Sequence, residues 1–151
     1  MNLKNVNRLF IIIAFIVLII VGRFFLMNNE VVAMPTVKVV TQTEEIPSIE
    51  GSYCWHSAGE AECVDKAAPH EIIQENSISF VAVQPNETIE FHYSQNPTSI
   101  SLQQWVKDFD YKEIGTSARF TAPSEKGKYI YLSMARFSNG DRIDAIAIEV
   151  K

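Results

Sequence analysis

An apolar helix followed by an all-β sandwich is the fold that this 151-residue sequence predicts, and three observations carry the prediction. Leu9 to Gly22 is an uninterrupted apolar run of fourteen residues. From Ile49 onward, turn residues interrupt short apolar segments every eight to twelve residues, the spacing of a sandwich. Near the end, two apolar runs flank Ser138-Asn-Gly-Asp141, and Asn-Gly in that setting is the strongest short-range hairpin signal.

The apolar run begins after Lys4 and Arg8 and is followed by Arg23 and then Phe24-Phe-Leu-Met27. A helix rises about 1.5 Å per residue and a bilayer core is roughly 30 Å thick, so a span takes about 20 residues. Leu9 to Met27 supplies nineteen, with Arg23 snorkelling to the far headgroups. The basic residues ahead of the run place the N-terminus in the cytoplasm and the C-terminal domain outside. The alternative is a cleaved signal, for which Val31-Val32-Ala33 is the best cleavage site and which would give a secreted product. No cysteine follows the run closely, which excludes a lipidated N-terminus. The expected organisation is a cytoplasmic start and single-pass transmembrane anchor over 1–27, a stalk over 28–47, and an extracytoplasmic domain over 48–151.

Beyond the anchor, ten basic residues face eighteen acidic ones, a formal charge of −8. So acidic a surface repels phosphate, so nucleic acid is excluded as a partner. The two cysteines are Cys54 and Cys63, nine apart around Ser57-Ala-Gly59, which reads as a turn. In an exported domain such a pair is expected to be bridged. Closing a loop of about ten residues contributes roughly 2.5–3 kcal/mol.

Within the stalk, Thr36 to Val40 has the composition of an edge strand. Ile49 to Trp55 is the first clear strand. Pro69 to Glu75 reads as a helical turn with proline at its first position. Strands are expected over Ser77–Val83, Thr88–Tyr93, Ser99–Gln103 and Ser117–Thr121, with Pro85-Asn-Glu87 and Asn96-Pro97 as turns. Lys107 to Gly115 is polar and irregular. Lys128 to Phe137 and Arg142 to Val150 form the hairpin, with Asn139-Gly140 expected in a type I′ turn. On the first of these strands Tyr129, Tyr131, Ser133, Ala135 and Phe137 share one face, while Ile130, Leu132 and Met134 share the other. Both faces are apolar, and only one can meet the opposite sheet. A loop, the stalk strand or another protein must cover the second.

Glu125-Lys-Gly127-Lys-Tyr129-Ile-Tyr131 resembles the acidic-x-Gly-x-Tyr-x-Cys signature that enters strand F of immunoglobulin-like domains, with Tyr131 in the cysteine position. The resemblance implies an Ig-like antiparallel β-sandwich in which Tyr129 forms a tyrosine corner, its hydroxyl bonding to backbone upstream. The antibody arrangement of Cys, Trp and Cys is absent, because Cys54 and Cys63 both precede Trp105. Gly51-Ser-Tyr-Cys-Trp55, Cys63-Val-Asp65, Pro69 and Pro123-x-x-x-Gly127-x-Tyr129-x-Tyr131 together resemble a group of small exported or membrane-anchored proteins of Bacillus-type bacteria. That resemblance implies a location and a β-fold, but no activity.

Motifs of hydrolases, phosphate loops and dinucleotide binding do not occur. The expectation is therefore no enzyme, no catalytic residue and no cofactor. His56, His70 and Asp65, with Glu60 and Glu62, lie near the cysteine loop and are the candidates for a metal site, set against an ordinary solvated loop. His92 lies between Phe91 and Tyr93 and is expected to point outward from a strand. Tyr53, Trp55 and Trp105 form an aromatic set that is either core packing or a recognition surface. Together these features predict a membrane-tethered binding or interaction module of the cell envelope, with the lipid bilayer and an envelope protein or wall component as partners. The alternative is a small exported metal-binding or enzymatic domain using His56, His70 and nearby carboxylates.

Overall fold

A computed structural model describes residues 3–27, 31–75 and 77–151. Residues 28–30, at the start of the expected stalk, lie outside the described residues. The chain divides into two compact units, Met1–Ala33 with His56–Glu60, and Met34–Trp55 with Ala61–Lys151.

In the first unit, helix α1 spans Leu3–Met27, 25 residues. Every described side chain from Phe10 to Phe24 is exposed. Among the described residues no helix is long and apolar enough to cross a membrane. The described apolar stretch, 10–24, amounts to about 22 Å of helix, short of the roughly 30 Å core. The ends of the expected nineteen-residue span, Leu9 and residues 25–27, lie outside the described side chains. The same unit holds a two-residue turn, Ala58-Gly59, with φ of 53° and 81°. Positive φ at both positions makes it the type I′ geometry whose twist matches paired strands. The Val32 amide donates to Ser57 Oγ at 2.9 Å.

The second unit carries most of the strands. In chain order the elements are β1 (Val37–Val40), β2 (Glu45–Ile46), β3 (Ile49–Ser57), β4 (Glu60–Val64), α2 (Pro69–Glu75) and β5 (Val81–Val83). There follow β6 (Thr88–Tyr93), β7 (Ser99–Lys107), β8 (Asp110–Gly115), β9 (Arg119–Thr121), β10 (Gly127–Phe137) and β11 (Gly140–Val150). A small antiparallel sheet has the order β2-β1-β6-β9, and a large one the order β4-β3-β11-β10-β7-β8. One edge of β11 is shared: β3 pairs antiparallel with residues 140–145, and β5 pairs parallel with residues 148–150.

The core between the sheets follows from strand alternation. Val39, Ile89, Phe91 and Phe120 of the small sheet meet Leu102, Tyr131, Ile146 and Ile148 of the large one, all buried. On the far face of the large sheet, Ile130, Leu132, Ala145 and Ala147 bury against Ile73 of α2, with Ile78 and Phe80 packed beside them. Ile130 and Leu132 on the second apolar face of β10 are therefore covered by α2 and the segment after it, not by the stalk strand, while Met134 on the same face stays exposed.

Several expectations shift. Within the stretch expected as a stalk, β1 lies between β2 and β6 rather than at an edge, and Val39 is fully buried. The strand expected over Ser77–Val83 is reduced to Val81–Val83, because residues 78 and 80 turn toward α2 instead of joining a ladder. The irregular Lys107–Gly115 stretch contains β8, paired to β7 with register shifts on either side. The last hairpin is present along its whole length, but its two-residue turn is Ser138-Asn139, and Gly140 already pairs with Phe137. Neither turn residue has positive φ, so the type I′ turn expected at Asn139-Gly140 is not formed. Gly140 is needed for another reason. Its φ is 155°, and a Cβ there would run into the Cys54 carbonyl of β3.

Candidate functional site

Cys54 and Cys63 are joined, as their spacing predicts, and the bridge ties β3 to β4 with Cα atoms 4.1 Å apart. The proposed metal ligands do not gather. Among the described residues no three His, Cys, Asp or Glu side chains could hold a metal ion. Asp65 Oδ1 accepts from Ser52 Oγ at 3.0 Å, and Glu62 Oε1 accepts from the Tyr53 hydroxyl at 2.9 Å. That bond and burial raise the Tyr53 phenol above its ordinary range. His70, on α2, is buried, with its ring stacked on Trp105 at 4.8 Å and edge-on to Phe109 at 5.8 Å. Among the described residues its Nδ1 has no hydrogen-bond partner. His56 belongs to the other unit. His92 is an exposed residue of β6.

Nor do the three aromatic candidates form one surface. Trp55 is 5% exposed and meets Phe137 edge-on at 5.9 Å, so it is core. Trp105 is half-buried, its indole N–H donating to the Asp108 carbonyl at 2.8 Å, and Tyr53 is half-buried beside Glu62. At the mouth of β10, the Tyr129 hydroxyl donates to the Glu125 carbonyl at 3.0 Å. A Cβ on Gly127 would stand 3.3 Å from that ring, so the absent side chain leaves room for the phenol.

The main polar feature of the second unit was not foreseen. Arg142 and Asp144 sit two apart on β11, so both project into the space between the sheets. They are 5% and 0% exposed. Arg142 Nε donates to Asp144 Oδ2 at 2.7 Å, Nη2 donates to Oδ1, and Nη1 donates to the Pro35 carbonyl. The Tyr93 hydroxyl donates to buried Ser133 Oγ at 2.9 Å and lies beside the Asp144 carboxylate. The register shift of β3 against Arg142 and Asp144 brings Glu50 opposite Asp144, and Glu50 Oε2 stands 3.7 Å from Arg142. Glu50 in turn binds Lys66 Nζ at 2.7 Å. A bulge re-aims a side chain in just this way. Burial raises the Asp144 carboxyl above the usual range, with Arg142 opposing the shift. Burial also raises Tyr93, and pushes Tyr131 up to about 12. The available signal was an Arg-x-Asp placed in step with the inward face of an otherwise apolar strand.

On the outside of the unit, the β7–β8 turn exposes Phe109 (76%), the end of β7 exposes Val106 (49%), and β10 exposes Met134 (41%). The surface around Met134 is concave, about 390 Å³, and framed by β7, β10 and β11. No protein-family profile and no curated protein matches the sequence.

Proposed function

We propose that the chain is a membrane-tethered, extracytoplasmic binding module with an Ig-like domain. The observation that carries the tether is α1, whose described side chains from Phe10 to Phe24 are exposed and, Gly22 and Arg23 apart, apolar. A helix apolar on every side is stable in lipid or inside a large core, not in water. The whole helix measures about 37 Å, enough for a bilayer if Leu9 and Phe25–Met27 lie within it. Lys4 and Arg8 then face the cytoplasm and the sandwich lies outside, where its disulfide is favoured.

The Ig-like assignment is supported by the Tyr129–Glu125 bond at the entrance to β10, by the buried Tyr131 in the position of the antibody cysteine, and by two facing sheets. The resemblance to small exported proteins of Bacillus-type bacteria agrees with this location. The binding role is supported by Phe109, Val106 and Met134, large apolar side chains that the unit leaves exposed.

Two experiments test the proposal. Membranes from expressing cells should retain the 17.1 kDa chain through alkaline carbonate washing and release it in detergent. A soluble product starting near Met34 would replace the tether by a cleaved signal. Photo-cross-linkers placed singly at Phe109, Val106 and Met134 in intact membranes should give a discrete adduct that one at His92 does not. No adduct from any of the three sinks the binding role.

A further inference from the structure

The outer face of the large sheet is apolar, but α2 and residues 78–80 cover only part of it. The uncovered part is the 390 Å³ trough, with Met134 and Ile143 among its apolar lining and Ser99 and Ser101 on β7. A second hollow of about 250 Å³ shares Met134 and Ile143 and runs beside residues 66–69. Arg136 and Asp141 stand at the rim and face each other in the β10–β11 register. Among the described residues, neither of these two side chains makes an ion pair or hydrogen bond.

The other cations near the trough are committed. Arg142 is held by Asp144, and Lys66 by Glu50. Among the described residues Arg136 is thus an unpaired guanidinium beside an apolar floor, in a chain whose residues 28–151 carry a formal charge of −8. Met134 and Arg136 are two apart on one strand, so their side chains share a face at a spacing of about 6.6 Å.

The geometry points to an extended segment of a partner protein with an apolar residue and an acidic residue two positions apart. The apolar side chain seats on Met134 and Ile143, and the carboxylate takes the fork of Arg136. Asp141 beside that fork disfavours densely anionic ligands and leaves room for a single carboxylate. This rests on the reading of the domain as a binding module.

The test is panning of a random peptide display library on the full chain in detergent micelles. Enriched peptides should share an apolar-x-acid pattern. For a synthetic peptide of that set, Arg136→Gln and Met134→Ser should each weaken binding at least tenfold. Raised salt should weaken it too, and Arg119→Gln should leave it unchanged. Asp141→Asn should strengthen binding severalfold, a gain that misfolding cannot produce. Absence of the pattern, or binding indifferent to Arg136→Gln, overturns the inference. Displacement of the peptide by dodecanoate at equal strength would overturn it as well, assigning the trough to an acyl chain. Cross-linking from Phe109 or Val106 reports on the binding module separately, so capture there with failed panning refutes the trough alone.

Discussion

Asp144→Ala should cost the sandwich about 3 kcal/mol and Arg142→Met about 5, the two ends of the range for breaking a buried ion pair. The ordering follows from what each deletion leaves behind. Without Asp144, the guanidinium still has the Pro35 carbonyl, and Glu50 at 3.7 Å can lean toward it from the surface. Without Arg142, a fully buried carboxylate keeps the Tyr93 hydroxyl beside it and like-charged Glu50 opposite it, and the Pro35 carbonyl loses its donor. The double variant Arg142→Met, Asp144→Leu removes both charges. It should cost only about 1–3 kcal/mol, mostly for the stranded Pro35 carbonyl, far below the sum of the singles. Urea unfolding followed by tryptophan fluorescence reads all three. The pH dependence of Arg142→Met adds a signed check. With the opposing cation gone, burial holds the Asp144 carboxyl further above its unfolded value of about 3.9. The folded protein then binds the extra proton, so stability is full below that value and falls as pH rises through the folded pKa. The deficit of Arg142→Met should therefore be smaller at pH 4 than at pH 7. Single losses under about 1 kcal/mol, or a strictly additive double variant, would refute the reasoning.

Alkaline titration should show Tyr93 and Tyr131 ionising only with unfolding. Burial raises both phenols, so their contribution to stability is complete below pH about 10 and fades above it, read as phenolate absorbance coinciding with loss of the fold. Tyr129→Phe should cost about 0.5–1.5 kcal/mol in the same urea melts, the worth of one hydrogen bond from a half-buried hydroxyl. Gly140→Ala should destabilise by roughly 1–3 kcal/mol, because it forces both a strained φ and a clash with the Cys54 carbonyl; a neutral result would show that β3 does not approach β11 there. Unreduced mass analysis should find Cys54 linked to Cys63, and removing the bridge should lower stability by roughly 2.5–3 kcal/mol in unfolding experiments.

Local chemistry was legible from the sequence wherever it acted alone. Proline at the head of Pro69–Glu75 marked α2, the nine-residue cysteine spacing marked the bridge, and alternation over 128–150 marked the long hairpin. What depended on distant partners was not legible. Asp110–Gly115 has little apolar alternation, since a strand at the edge of a sheet needs only one neighbour and buries little. Trp55 looked as suited to a surface as to a core until β11 and Phe137 closed over it. The Arg142–Asp144 pair needed the β3 register shift and the return of Pro35 before its surroundings existed at all. The Asn139-Gly140 signal located the hairpin correctly and misplaced the turn by one residue, because β3 imposes its own demand on Gly140.

The shared edge of β11 has a consequence for the order in which this domain can assemble. Its residues 140–150 are the partner of β3, β5 and β10, so three strands made earlier all wait for the last one. Until residues 140–150 are available, the large sheet lacks its centre, and loop-closure entropy keeps β3 and β5 apart from β10. A nascent chain of this design would therefore keep its large sheet open during passage across a membrane and close it only after β11 arrives. Under the proposed topology, the fold would act as its own timer for export.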